Sequence, residues 1–217
     1  MESNQRKMLE LSFGRSIFKT FLEQNGFTDD KLQVFDRLTE LYLKVNAVIN
    51  ISALKTFDDI YIKHYLDSLF PYKFFDGECC DVGCGGGFPC LPLAISTGLN
   101  FVGIDGVGKK LTLIKLCNTE LNLNNISAEH TRAEELAKSD RKFDTVCTRA
   151  LADADKALTF CAPLARRNGK ILLYKTQNDV AAKPAIAEKQ KVKLIETYDY
   201  TLSGTNINRR LFVYEKL

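Results

Sequence analysis

The chain has 217 residues, 45% hydrophobic and 26% charged, too apolar for a disordered chain and ordinary for a globular one. Thirty basic against 27 acidic residues leave a net charge of +3, too balanced for a protein that coats nucleic acid by bulk electrostatics. No run approaches the roughly 18 apolar residues of a membrane span, and the charged stretch Met1–Ser12 lacks the apolar core of a signal segment, so a cytoplasmic protein is expected.

Residues 1–76 read as an N-terminal helical extension, because apolar residues recur at threes and fours between turn signals. Phe18, Phe21 and Leu22 form the first stripe, and Gly26 follows at a C-terminal capping position. Thr28 is expected to cap a second helix whose stripe runs through Leu32, Phe35, Leu38, Leu41 and Val45 to a polar break at Asn50–Ser52. A third helix is expected after Thr56, carrying His64, Asp67 and Ser68.

Residues 77–217 change to short apolar runs separated by helical segments, the alternation of a mostly parallel α/β sheet. Seven strands are predicted: Glu78–Val82, Asn100–Asp105, Ile126–His130, Phe143–Thr148, Lys170–Lys175, Leu194–Thr201 and Arg210–Tyr214. Only a Gly-containing loop separates the last two, which predicts a C-terminal antiparallel hairpin. The seven cysteines are odd in number and spread through predicted elements, so they read as reduced. Cys80 and Cys84 lack a second ligand pair, and His64 and His130 are the only histidines, so no metal site is expected.

Four of the 13 glycines fall within residues 83–87, directly after the first strand and before a helix. Glycines there let the chain turn sharply and let its backbone approach a ligand closely, while the following helix offers unpaired N–H groups. A dinucleotide fingerprint fails at its third glycine, where Phe88 stands. Asp105 ends the second strand, 22 residues after Gly83, where a carboxylate can accept hydrogen bonds from the hydroxyls of an adenosine ribose. Turn and acid together fit S-adenosylmethionine, with its amino-acid end over Gly83 and Gly85 and its ribose at Asp105.

The stretches Asn50-Ile-Ser-Ala53, His64-x-x-Asp67-Ser68, Asp81 to Ile95, Lys109-Lys110, Arg132-Ala-Glu-Glu135, Phe143-Asp-Thr-Val146, Thr148-Arg-Ala150 and Tyr174-Lys175 stand in an order and spacing that resemble one family. It is the ribosomal RNA small subunit methyltransferase G family, also called the glucose-inhibited division protein B family. The resemblance implies a class I S-adenosylmethionine-dependent methyltransferase: a Rossmann-like, mostly parallel seven-stranded sheet with an N-terminal helical extension. It implies methylation of N-7 of a guanine in 16S ribosomal RNA, free or within the small subunit or its precursor, by a protein expected to be a monomer. Carried over by position, cofactor contacts fall on Gly83, Phe88, Ala133, Glu134 and Arg149.

Guanine N-7 offers a lone pair and carries no proton, so no catalytic base is expected; Arg149, His64 and Lys175 are candidates for positioning the substrate. A cytosine-carbon methylase needs a nucleophilic cysteine on the substrate side, whereas Cys90 belongs to the helix after the glycine turn. An exocyclic-amine methylase usually shows Asp/Asn-Pro-Pro-aromatic where Thr148-Arg149-Ala150 stands. A small-molecule or protein methyltransferase of the same fold, or a non-catalytic adenosine-ligand or RNA-binding module, stays open at this point.

Overall fold

A computed structural model describes residues 3–217; Met1 and Glu2, the start of the expected extension, lie outside the described residues. Helices α1 (Ser3–Glu10), α2 (Phe13–Gln24) and α3 (Asp29–Ile49) come first. The stripe residues Phe18, Phe21 and Leu22 of α2 and Leu32, Phe35, Leu38, Leu41 and Val45 of α3 are all buried, as their spacing requires. Gly26 follows α2 at φ 74°, and Asn50 closes α3 in the left-handed conformation. Thr28 has the extended backbone of an N-cap, but its side chain makes no capping hydrogen bond, a correction to the expected cap.

The expected third helix begins after Thr56, whose hydroxyl accepts the Asp59 N–H. It is not a regular α-helix throughout: α4 (Phe57–Asp59) passes into a π-helical stretch (Ile60–Leu66) and then α5 (Asp67–Leu69). Such widened turns are rare and recur at functional sites. His64 lies within the stretch and Asp67 directly follows it.

Seven strands form one sheet: β1 (Glu78–Val82), β2 (Asn100–Asp105), β3 (Ile126–His130), β4 (Phe143–Arg149), β5 (Ala165–Thr176), β6 (Val192–Thr201) and β7 (Asn208–Lys216), in the order β3-β2-β1-β4-β5-β7-β6. The first five are parallel; β7 lies between β5 and β6, antiparallel to both, as the hairpin predicted. β5 starts earlier than its apolar run, because Ala165 pairs with Phe143 across a register shift while the polar residues Arg166, Arg167 and Asn168 stay exposed. Backbone pairing extends the strand there without the alternation that reveals strands in sequence.

Successive strand residues enter two different cores, the period-2 consequence of the pleat. Cys79, Phe101, Cys147, Leu172, Tyr174, Leu211 and Val213 face one side, where α2, α3, α6 (Cys90–Thr97) and α7 (Thr112–Glu120) pack. Cys80, Val102, Val146, Ile171, Leu173, Phe212 and Tyr214 face the other, under α8 (Ala133–Leu136), α9 (Ala154–Cys161) and α10 (Pro184–Lys189). The N-terminal helices therefore share a continuous core with one face of the sheet.

Candidate active site

Reversal of strand order beside β1 leaves a crevice at the carboxyl ends of β1, β2 and β4, where ligands of open parallel sheets bind. The glycine turn forms its floor. Gly83 has φ 71° and donates its N–H to Ile104 O at 2.9 Å, tying the turn to the end of β2. A Cβ at Gly83 would stand 2.6 Å from Leu151 Cδ1, so steric room and backbone conformation both require glycine. Gly86 packs against Ile51: a Cβ there would meet Ile51 Cγ2 at 2.4 Å. That contact explains the Asn50-Ile-Ser stretch, whose loop is held by Asn46 through its bonds to Ser52 N and Ser52 O, each 3.0 Å.

Above the turn lies a cleft of about 390 Å³ lined by Gly83, Asp105, Ala133 and Glu134, together with Val107, Lys110, Arg132, Ala150 and Leu151. Asp105 is nearly buried; Oδ2 accepts Gly85 N–H at 3.0 Å and Oδ1 accepts Val107 N–H at 2.8 Å. A carboxylate has about four acceptor sites, so each oxygen retains one toward the cleft. Ala133 is buried and Glu134 exposed at the start of α8, while Glu135 turns away to pair with Lys138. Gly85 belongs to the cleft only through its bond to Asp105, and Phe88 and Arg149 do not line it.

Those two belong to a second cleft of about 410 Å³ or to its supports; it is lined by Lys63, His64, Asp67, Arg149, Lys175 and Arg209 among others. Phe88 stacks on His64 with centroids 4.1 Å apart and planes 6° apart, and Arg149 lies 6.0 Å from the same ring. Arg149 Nη2 lies 3.2 Å from His64 Nδ1. Arginine can only donate, so Nδ1 accepts and the imidazole proton sits on Nε2. Burial first, and then the Arg149 charge, push the His64 pKa down to about 3, which keeps the ring neutral. Asp67 accepts Arg149 Nη1 at 3.3 Å on Oδ2 and Arg209 Nε at 3.0 Å on Oδ1. Lys175, nearly buried, donates to Ala152 O. Among the described residues, Ala150 alone lines both clefts.

Cys90 is fully buried, and burial pushes its thiol pKa well above the ordinary value, so it packs rather than attacks. All seven cysteines are buried and unpaired, and no group of three or more potential metal ligands occurs among the described residues.

A model of the rRNA small subunit methyltransferase G (GidB) family matches residues 31–211. The chain belongs to that family. A relative in Carboxydothermus hydrogenoformans, named ribosomal RNA small subunit methyltransferase G, is 32% identical across 92% of this chain and 90% of its own. Another of the same name in Exiguobacterium sibiricum is 32% identical across 92% and 89%. Among solved structures, M. jannaschii TYW2 in complex with AdoMet superposes with a TM-score of 0.53 at 16% identity, over 70% of this chain and 76% of that one. The fold is that of class I S-adenosylmethionine-dependent methyltransferases, and the chain is a methyltransferase with S-adenosylmethionine as donor.

Family membership leaves the second cleft to be read from the geometry. In the sequence Asp67 stands out only as part of the His64-x-x-Asp67-Ser68 motif, and Arg209 is simply the neighbour of Arg210. Alternation along β7 separates that pair: Arg209 reaches Asp67, whereas Arg210 forms a two-pronged ion pair with Asp199 at 2.6 and 2.7 Å.

Proposed function

We propose that the protein methylates N-7 of a guanine in 16S ribosomal RNA, with the donor in the first cleft and the guanine in the second. The carrying observation is the pair of clefts meeting at Ala150: one offers a glycine turn and a two-oxygen acceptor, the other a cluster of cations. The first has the size of a small-ligand site, and its donor set suits an adenosine: Asp105 for the ribose, Ala133 and Glu134 beside the base, Gly83 and Gly85 beneath the amino-acid end. Phe88 and Arg149 then approach the donor from the second cleft, on the far side of Ala150.

S-adenosylmethionine would supply a methyl group on a positively charged sulfur; the N-7 lone pair bonds to the methyl carbon in line as the S–C bond breaks and the neutral thioether leaves. No proton leaves N-7, so the chain needs no base, and its task is alignment, which in well-oriented systems contributes up to roughly 7–11 kcal/mol. Arg149 and Lys175 are suited to the guanine O6 beside N-7 or to a phosphate, and neutral His64 fixes Arg149 by accepting from it. Six cationic and acidic groups line the second cleft, Lys63, Arg149, Lys175 and Arg209 against Asp67 and Asp179, and the balance is positive. That favours an anionic acceptor such as RNA over a neutral small molecule.

We take the RNA, free or within the small subunit or its precursor, as partner, a monomer as the working unit and the cytoplasm as compartment. No helix among the described residues is long and apolar enough to cross a membrane. The test is transfer from labelled S-adenosylmethionine to RNA and to small subunits prepared from cells lacking the modification. Label in an N-7-methylguanine fragment of 16S RNA is expected; label elsewhere, or none on either substrate, overturns the reading.

A further inference from the structure

Asp67 places one carboxylate between two arginines that are far apart in sequence, on strands separated in the sheet by β5 alone. Oδ2 accepts from Arg149 at the end of β4 and Oδ1 from Arg209 near the start of β7, while Asp67 itself follows the π-helical stretch of the N-terminal helices. We propose that Asp67 is a positioning residue for the RNA substrate, holding Arg149 and Arg209 as one preformed fork that grips a phosphate of the strand carrying the target guanine.

Without an anion between them, two guanidinium groups lining one cleft would repel and swing apart. With Asp67, its side chain only 7% exposed, their planes are fixed by charge-assisted bonds in a partly desolvated place. Arg149 is further anchored by donating to Lys63 O at 3.1 Å and to His64 Nδ1. Each guanidinium has five N–H donors, so both retain donors not used in these bonds. Two of the other charges around the cleft are already engaged. Lys63 pairs with Asp59 at 2.6 Å, and Asp179 accepts from the Thr176 N–H and hydroxyl at 2.8 and 2.6 Å. Two guanidinium forks with unengaged donors suit the tetrahedral oxygens of a phosphodiester, which arginine grips in two-pronged fashion. The same geometry gives the helical extension a purpose beyond packing, since it supplies Lys63, His64 and Asp67 to a cleft whose other walls are sheet strands and the loops that follow them.

This inference rests on RNA being the substrate. The test uses the full-length protein and unmodified small-subunit RNA, with RNA binding measured by filter retention, donor binding by calorimetry and turnover by label transfer. Asp67→Asn keeps the side-chain shape but removes its charge and turns an amide N–H toward one arginine. RNA affinity and the RNA KM are expected to worsen by about tenfold or more, with kcat and donor affinity changing by less than about threefold. Arg209→Gln is expected to give a similar loss, and the double variant no more than the worse single one, because both break the same fork.

Unchanged RNA affinity, additive losses, or donor affinity falling as far as RNA affinity overturns the proposal. If Asp67→Asn does not fold, Arg209→Lys decides: a single-point cation cannot replace the fork, so full recovery of RNA affinity by lysine overturns it. Failure of the RNA reading itself is distinct, since the wild-type protein would then leave RNA unmethylated.

Discussion

Asp81 has no exposed surface, and its carboxylate accepts one bond, from the Cys90 N–H at 3.2 Å, with Oδ1 unpartnered among the described residues. Desolvation pushes its pKa up to about 6 from the ordinary 3.8. Between those values the folded chain keeps a proton that the unfolded chain has lost, so this contribution to stability falls as pH rises through the window. His64 works in the opposite sense: its pKa is down to about 3 from the ordinary 6.5, so its contribution falls as pH drops from 6.5 toward 3. Thermal melts should show Asp81→Asn gaining on the wild type from pH 4 to 7 and His64→Gln gaining from pH 7 to 4; pH-independent differences would contradict both signs. At Asp105, alanine removes the two-oxygen acceptor and strands the Gly85 and Val107 N–H groups. Calorimetry of Asp105→Ala should show donor affinity at least about tenfold weaker, with stability lower by about 1–3 kcal/mol. Asp105 and the glycine turn were legible in the sequence because they lie on consecutive strands with a spacing set by one crossover. Asp67 was not, because its partners are 82 and 142 residues away and nothing local marks the pairing.

Elements were most legible where burial imposes a period. β1, β2 and β3 have the bounds that the apolar runs predict, because each is a plain parallel strand ended by a turn. β5 and the widened helix were less so: Arg166–Asn168 are exposed polar residues within a register shift of β5, and the π-helical stretch keeps buried residues at nearly every position, which hides its period. β7 shows how alternation assigns two adjacent arginines to different jobs. Arg210 pairs with Asp199 on the partner strand in a solvent-exposed place, so Arg210→Ala should leave the midpoint of chemical denaturation nearly unchanged. A larger loss would mean that its further bond to Asp179 O supports the second cleft.

Across the whole molecule, the surplus charge resides in residues 77–217, which carry 20 basic and 16 acidic groups against 10 and 11 in residues 1–76. Division by charge does not divide the core. Phe18 of α2 meets Phe35 edge-on at 4.7 Å and belongs to the cluster that includes Phe101 and Tyr174 of the sheet. Phe18→Ala should therefore destabilise the whole chain by about 3–5 kcal/mol in a single calorimetric transition. Two separate transitions would show that the helices unfold on their own. Ala150, finally, holds φ 57°, a conformation an L-residue adopts at a cost of roughly 1–2 kcal/mol, and it is the wall common to both clefts. On the proposed placement, donor and guanine meet beside Ala150 and each enters through its own cleft, which predicts that spent donor exchanges while the nucleic acid stays bound. Steady-state inhibition by the demethylated donor should then be competitive against S-adenosylmethionine and noncompetitive against RNA. A compulsory order of addition, in which RNA binds only after the donor, would mean that the wall moves.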